Sequence, residues 1–180
     1  MAKIETSEPK LTVDENVQIR LIKSNYAPDV PGVTVSEQRD YYERLWAEEQ
    51  TTESNTTASA LHESIAALLN FNNRTESLPE YHELEFGTGT TPDETGCSEP
   101  VGRIEITDPS NEGETFYMRE FADEYELNPQ PNADNTVPEL SEMVAFSSDG
   151  RVYNYVTLTN SIKKTSDYVL IVNLSMAIGQ

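Results

Sequence analysis

The chain has 180 residues, with 12 Lys and Arg against 32 Asp and Glu, a formal charge of -20. A surface of that sign repels nucleic-acid phosphates and anionic bilayers alike, which excludes backbone-driven nucleic-acid binding and electrostatic recruitment to a membrane. Hydrophobic residues make up 36% of the chain, so the core is modest, and the length suits one ordinary domain with an extension.

Residues 1–33 mix charges with Pro9, Pro28 and Pro31 around one alternating piece, Val17-Gln18-Ile19-Arg20-Leu21-Ile22. They read as an extended N-terminal arm able to donate an edge strand. Residues 34–76 read as a two-helix segment. Thr34 and Glu37 are spaced as a capping box, with Ser36 as the alternative cap, and Tyr41, Tyr42, Leu45 and Trp46 follow at helical spacing to about Gln50. A polar stretch, Thr51 to Thr57, separates a second helix whose stripe is Ala58, Leu61, Ile65, Leu68 and Leu69; Asn70, Asn72 and Asn73 end it.

Residues 77–180 change to an alternating pattern. Strands are expected at Tyr81–Phe86, Gly102–Thr107, Glu114–Leu127, Glu139–Phe146, Arg151–Leu158 and Tyr168–Ile178. Asp149-Gly150 marks a hairpin, Asp108 to Gly113 a solvent loop, and Asn128 to Asn135 a longer excursion. The last strand sets Tyr168, Leu170, Val172, Leu174, Met176 and Ile178 on one face. Its other face, with Val169 and Ile171, is apolar enough to be covered by another sheet or subunit. The expected fold is mainly β: an antiparallel, jelly-roll-like β-sandwich preceded by an extended arm and two short helices.

An acid excess on clearly periodic apolar segments points to a folded protein working in concentrated salt, where a Debye length of about 3 Å screens its self-repulsion. Met1 to Lys10 has no apolar signal region and no run is long enough for a membrane span, so synthesis in a cytoplasm is expected, with no direct membrane insertion.

No catalytic, cofactor-binding or metal residues can be assigned. Cys97 is the only cysteine and lies among Glu94, Ser98 and Glu99, which disfavour a thiolate. His62 and His82 lack partners at a ligand spacing. Gly87-Thr88-Gly89-Thr90-Thr91 has no following Gly-Lys-Ser/Thr and is flanked by acids, so its glycines are read as a tight bend and not a phosphate cradle. Asp108 to Glu114 lacks the regular oxygen spacing of a calcium loop. Carboxylate pairs are too numerous for any one to be nominated. Asn55, Asn73 and Asn173 begin N-x-Ser/Thr sequons; the first two are expected to be exposed.

The stretch from Pro79 through Tyr81, Glu83, Glu85 and Gly87-Thr88-Gly89-Thr90 to Pro92 resembles a group of small β-rich virion structural proteins of tailed bacteriophages, related to tail-fibre collar regions. The order continues with the helix at Ala58–Leu69 before it, then Pro100-Val101-Gly102-Arg103, Glu114–Leu127, Glu142 to Phe146 with Asp149-Gly150, and a lysine-bearing loop, Ile162 to Asp167. Val144 stands where the pattern has glycine, Ser141 where it has arginine, and Asn128–Asn135 looks inserted. The resemblance implies a non-enzymatic virion component without cofactors. It would assemble with copies of itself, as a ring or trimer, and with other virion proteins at a tail tip, baseplate or capsid surface. The acid excess adds a haloarchaeal host. A carbohydrate-binding sandwich is the alternative, and an enzyme with a carboxylate pair ranks last.

Overall fold

The computed structural model describes residues 12–23, 51–54, 56–61, 63–64, 80–107, 109–112, 115–123 and 125–179. The first expected helix lies outside these residues. Of the second, residues 59–61 and 63–64 are helical and the remainder also lies outside.

Among the described residues, ten strands form two antiparallel five-stranded sheets: β1 (Thr12–Lys23), β2 (Thr51–Ser54), β3 (Thr56–Thr57), β4 (Tyr81–Gly87), β5 (Pro100–Glu105), β6 (Pro109–Glu112), β7 (Thr115–Ala122), β8 (Leu140–Ser147), β9 (Val152–Ile162) and β10 (Tyr168–Gly179). Sheet A has the order β2-β1-β10-β7-β6, and sheet B the order β3-β9-β8-β4-β5. Side chains from both meet in one core: Val17, Ile19, Met118, Leu170, Val172 and Leu174 from sheet A, and Leu84, Phe86, Ile104, Met143, Ala145 and Val156 from sheet B. Alternation along each strand sends every second residue inward, which explains why β10 buries Leu170, Val172 and Leu174 together.

The strand expected within the N-terminal arm is β1. It pairs with β10 from Thr12↔Gly179 to Lys23↔Tyr168 and is flanked on its other side by β2. Its piece Val17 to Ile22 is a strand, as expected, but an internal one, with Val17 and Ile19 in the core. Thr51 to Thr57 is not merely a polar separator. β2 pairs with β1 in sheet A and β3 with β9 in sheet B, so one short stretch supplies an edge strand to each sheet and seals that side. Four β-branched threonines, Thr51, Thr52, Thr56 and Thr57, favour extended backbone there.

The expected strands at β4, β8, β9 and β10 form, with β9 continuing to Ile162. Asp149-Gly150 turns the β8–β9 hairpin, where the Gly150 amide donates to the Ser147 carbonyl at 2.9 Å. β7 stops at Ala122, five residues early. Asp123 Oδ1 accepts the amides of Tyr125 and Glu126 while Glu126 Oε2 accepts the Asp123 amide, and Leu127 turns with φ 53°. Residues 109–112, expected in a solvent loop, form edge strand β6. Val169 and Ile171, on the face expected to be covered by another sheet or subunit, are only 1% and 2% exposed within a single chain.

Removal of residues 1–23 should therefore abolish the cooperative unfolding transition, since it strips the core of Val17 and Ile19 and leaves β10 unpaired on one side. A truncated chain with a full-length melting profile by circular dichroism would contradict this placement of β1.

Candidate functional site

The Gly-Thr-Gly-Thr motif leads out of β4 into a loop, residues 88–99, that returns to β5. On the side of sheet B facing away from the core, strand alternation places Glu83 and Glu85 of β4, Arg103 of β5, Glu142, Val144 and Phe146 of β8, and Tyr155 and Thr157 of β9. Val144 and Phe146 are buried there with Ala58 and Val152, beside Cys97 and Tyr155. The loop is thus fastened over an apolar patch that would otherwise face water.

Glu142, fully buried, is the principal fastening. Its Oε1 accepts the amides of Gly89 (3.2 Å) and Glu99 (2.9 Å), and its Oε2 accepts the Ser98 hydroxyl (2.9 Å). Such donors make a buried carboxylate tolerable, because each N–H replaces part of the lost hydration. The motif's glycines follow from this geometry. A Cβ on Gly87 would lie 2.7 Å from the Glu99 carbonyl oxygen and collide with Glu142 Oε1. One on Gly89 would overlap Ser98 Oγ and lie 2.7 Å from Glu142 Oε1. The Ser141 hydroxyl donates to the Gly89 carbonyl at 2.6 Å, and that of Thr157 to the Thr90 carbonyl at 3.3 Å.

Glu85 holds the far end of the loop. Its Oε2 accepts the Cys97 amide at 2.8 Å, and its Oε1 accepts Arg103 Nε at 2.9 Å. Arg103 also reaches Glu83 at 2.8 Å and lies 4.1 Å above the centroid of the Phe146 ring, a cation–π contact. Burial, with Glu142 and Glu85 nearby, pushes the Cys97 thiol far up, so it stays protonated and unreactive. At the loop's tip, Glu94 accepts both the Ser59 amide and the Ser59 hydroxyl at 3.0 Å. Those bonds, the amide first, hold its carboxyl below the ordinary 4.5.

The arrangement gathers four carboxylates, Glu83, Glu85, Glu94 and Glu142, and a thiol, and every oxygen named for Glu85 and Glu142 already accepts a donor. Chemically it can fix a loop. Among the described residues no cluster of three or more His, Cys, Asp or Glu is set to hold a metal ion. His82 is exposed, and only its backbone carbonyl is used, by the Ile106 amide at 2.8 Å. His62, Asn55 and Asn73 lie outside the described residues, as do residues 108, 113 and 114 of the weighed calcium loop. Asn173 is half-buried on β10.

Two residues with defined tasks escaped sequence reasoning. Glu142 was one acid among many; its signal was an acid at an outward position of a strand whose other residues are apolar. Lys164 lies in the lysine-bearing loop but is fully buried, donating to the Asp123 carbonyl at 2.8 Å and to Asn128 Oδ1 at 3.1 Å. It ties the start of the β7–β8 loop to the turn before β10. Comparison with protein-family models, curated proteins and solved structures finds no match.

Two outcomes follow from the fastening. Glu142→Ala strands three donors and should cost about 3–5 kcal/mol, and Gly87→Ala about 1–3 kcal/mol, by denaturant unfolding in concentrated salt. The exposed Glu105→Gln should stay within about 0.5 kcal/mol; equal losses at all three sites would refute the latch. Because the Glu94 pKa is lowered on folding, its contribution is complete above 4.5 and disappears as pH falls through the depressed value. The melting-temperature gap between the native chain and Glu94→Gln should be constant above that pH and close in acid.

Proposed function

We propose that the chain is a non-enzymatic structural component of a tailed-virus virion, built of repeated copies in a ring or trimer. It would sit at the tail tip or baseplate or decorate the capsid surface as a turret, with a haloarchaeal host. The observation carrying this reading is that the most enclosed carboxylate, Glu142, and the buried Glu85 beside it are engaged in fastening a loop. Acid–base or glycosidase chemistry needs at least one carboxyl able to meet substrate, and Glu142 has no exposed surface. The resemblance around Gly87-Thr88-Gly89-Thr90 supports the same class, and a jelly-roll-like sandwich is an architecture suited to it.

Assembly on this reading uses strand edges. Sheet B ends in β5 and sheet A in the four-residue β6, on the side opposite the sealing strand. An edge such as β5 can accept an added strand, whose main-chain hydrogen bonds supply affinity without a large apolar patch. The charge of -20 fits association in brine, where like-charged copies are screened from one another.

A carbohydrate-binding module is the second reading. It is favoured by Tyr125, 81% exposed on a loop rich in acids and amides. Sedimentation of the full chain in multimolar KCl decides between them. A closed oligomer that dissociates or unfolds on dilution of the salt is expected. A monomer at every concentration, indifferent to KCl and retained on immobilised glycans until a chelator is added, would transfer the case to sugar binding.

A further inference from the structure

β5 is the last strand of sheet B, with β4 as its one strand neighbour among the described residues. In an antiparallel ladder alternate residues turn their main-chain groups toward the neighbour and away from it. The Ile106 amide donates to the His82 carbonyl at 2.8 Å, and the same register sets Ile104 against Leu84 and Gly102 against Phe86. Gly102, Ile104 and Ile106 therefore turn their amides and carbonyls to β4, and Arg103 and Glu105 direct theirs to the open edge. That edge is bounded at both ends. Val101 is the extra residue of a bulge, since Gly87 pairs with Pro100, and the Thr107 amide is already taken by Glu120 Oε1 at 2.6 Å.

An unpaired edge is a template for another strand. A copy of β5 turned about a two-fold axis through Ile104 uses every main-chain group that Arg103 and Glu105 offer. Arg103 then lies opposite Glu105 of the second copy and Glu105 opposite its Arg103, and each pair exchanges both of its bonds. The side chains fit the same register. Both residues are exposed on the outer face of sheet B, so each guanidinium meets a carboxylate across the axis. Arg103 gives Nε to Glu85 and Nη1 to Glu83, which leaves Nη2 for that contact. Moving the axis by one residue loses both advantages. Centred on Arg103, it opposes two guanidinium groups and sets Glu105 against the bulge. Centred on Glu105, it opposes two carboxylates and brings Arg103 to the engaged Thr107 amide.

We propose that a second copy of this chain docks on β5 by strand addition about the Ile104 axis, joining the two B sheets into one. The main-chain bonds supply the affinity and the alternation of cation and anion selects the register. The occupant is β5 itself because that alternation complements its own reverse. The inference goes beyond the virion reading and does not rest on it, since the edge pairs two copies whatever larger body they build.

Sedimentation equilibrium of the full chain in multimolar KCl tests the contact, with species of even copy number expected. Glu105→Pro removes an amide that β4 does not use, so it should keep the β-sheet circular dichroism and weaken the pair about tenfold or more. Glu105→Arg sets like charges opposite each other twice and should weaken it several-fold, by more at the lowest KCl that keeps the chain folded. If Glu105→Pro fails to fold, Glu105→Arg still decides. Pairing lost with Glu105→Pro but untouched by Glu105→Arg would overturn the proposed register. A monomer at every concentration would overturn the contact and leave the edge to a segment of the same chain. A ring or trimer that neither substitution disturbs would overturn the contact and leave the virion reading standing, whereas a pair without larger bodies would support the contact and count against the ring.

Discussion

The structure depends on a carboxylate that has been taken out of water. Glu142 has no exposed surface, so its charge is tolerable only while the Gly89 and Glu99 amides and the Ser98 hydroxyl point at it. The loop of residues 88–99 cannot lift without stranding that charge, and the same loop shields Val144 and Phe146, seats Cys97 on Glu85 and carries Glu94 to Ser59. One buried side chain thereby couples β8, the β4–β5 connection and the start of the short helical stretch. Low local polarity strengthens each of its bonds, and two glycines are needed to let the backbone come that close.

That choice of donors suits a chain with few cations. Arg103 serves both Glu83 and Glu85, and Arg151 serves both Asp149 and Glu63, so single guanidinium groups are divided between pairs of acids. Apart from the buried Glu85, the partners are partly or largely exposed, and such pairs contribute little individually and weaken further as salt screens them. Backbone amides aimed at a buried carboxylate are not screened in the same way. At Glu142 the bonds come from main-chain amides and a hydroxyl, and salt acts chiefly on the exposed ion pairs.

The legible parts of the sequence were those where periodicity is local and one face is apolar. Tyr81–Phe86, Leu140–Phe146 and Tyr168–Ile178 alternate cleanly, and Asp149-Gly150 fixes its own turn, so β4, β8 and β10 could be read without knowing their partners. β1 could not. Its N-terminal half, Thr12-Val13-Asp14-Glu15-Asn16, is too polar to announce a strand, and its partner β10 lies at the other end of the chain. β6 was hidden by Pro109, Ser110, Asn111 and Glu112, a composition suited to a loop that forms a ladder because β7 presents its edge. The site was half-legible. Gly87 and Gly89 announced a close backbone approach, but what approached was set by Glu142, which sits 53 residues beyond Gly89 and is one of 32 acids.

The two sides of the stacked sheets are not equivalent, and this limits how copies can join by strand addition. On one side Thr51–Ser54 pairs with sheet A and Thr56–Thr57 with sheet B, so a single stretch occupies both edges. On the other side β5 and β6 end separate sheets with no strand in common. If copies joined only by setting one open edge against another, association would stop at a pair, because among the described residues each copy has one such side. A closed ring or trimer built by strand addition requires a donor elsewhere on the chain, so that each copy gives at one place and receives at another. That is a heterologous contact, and it closes only when the rotation between donor and open edge divides a full turn.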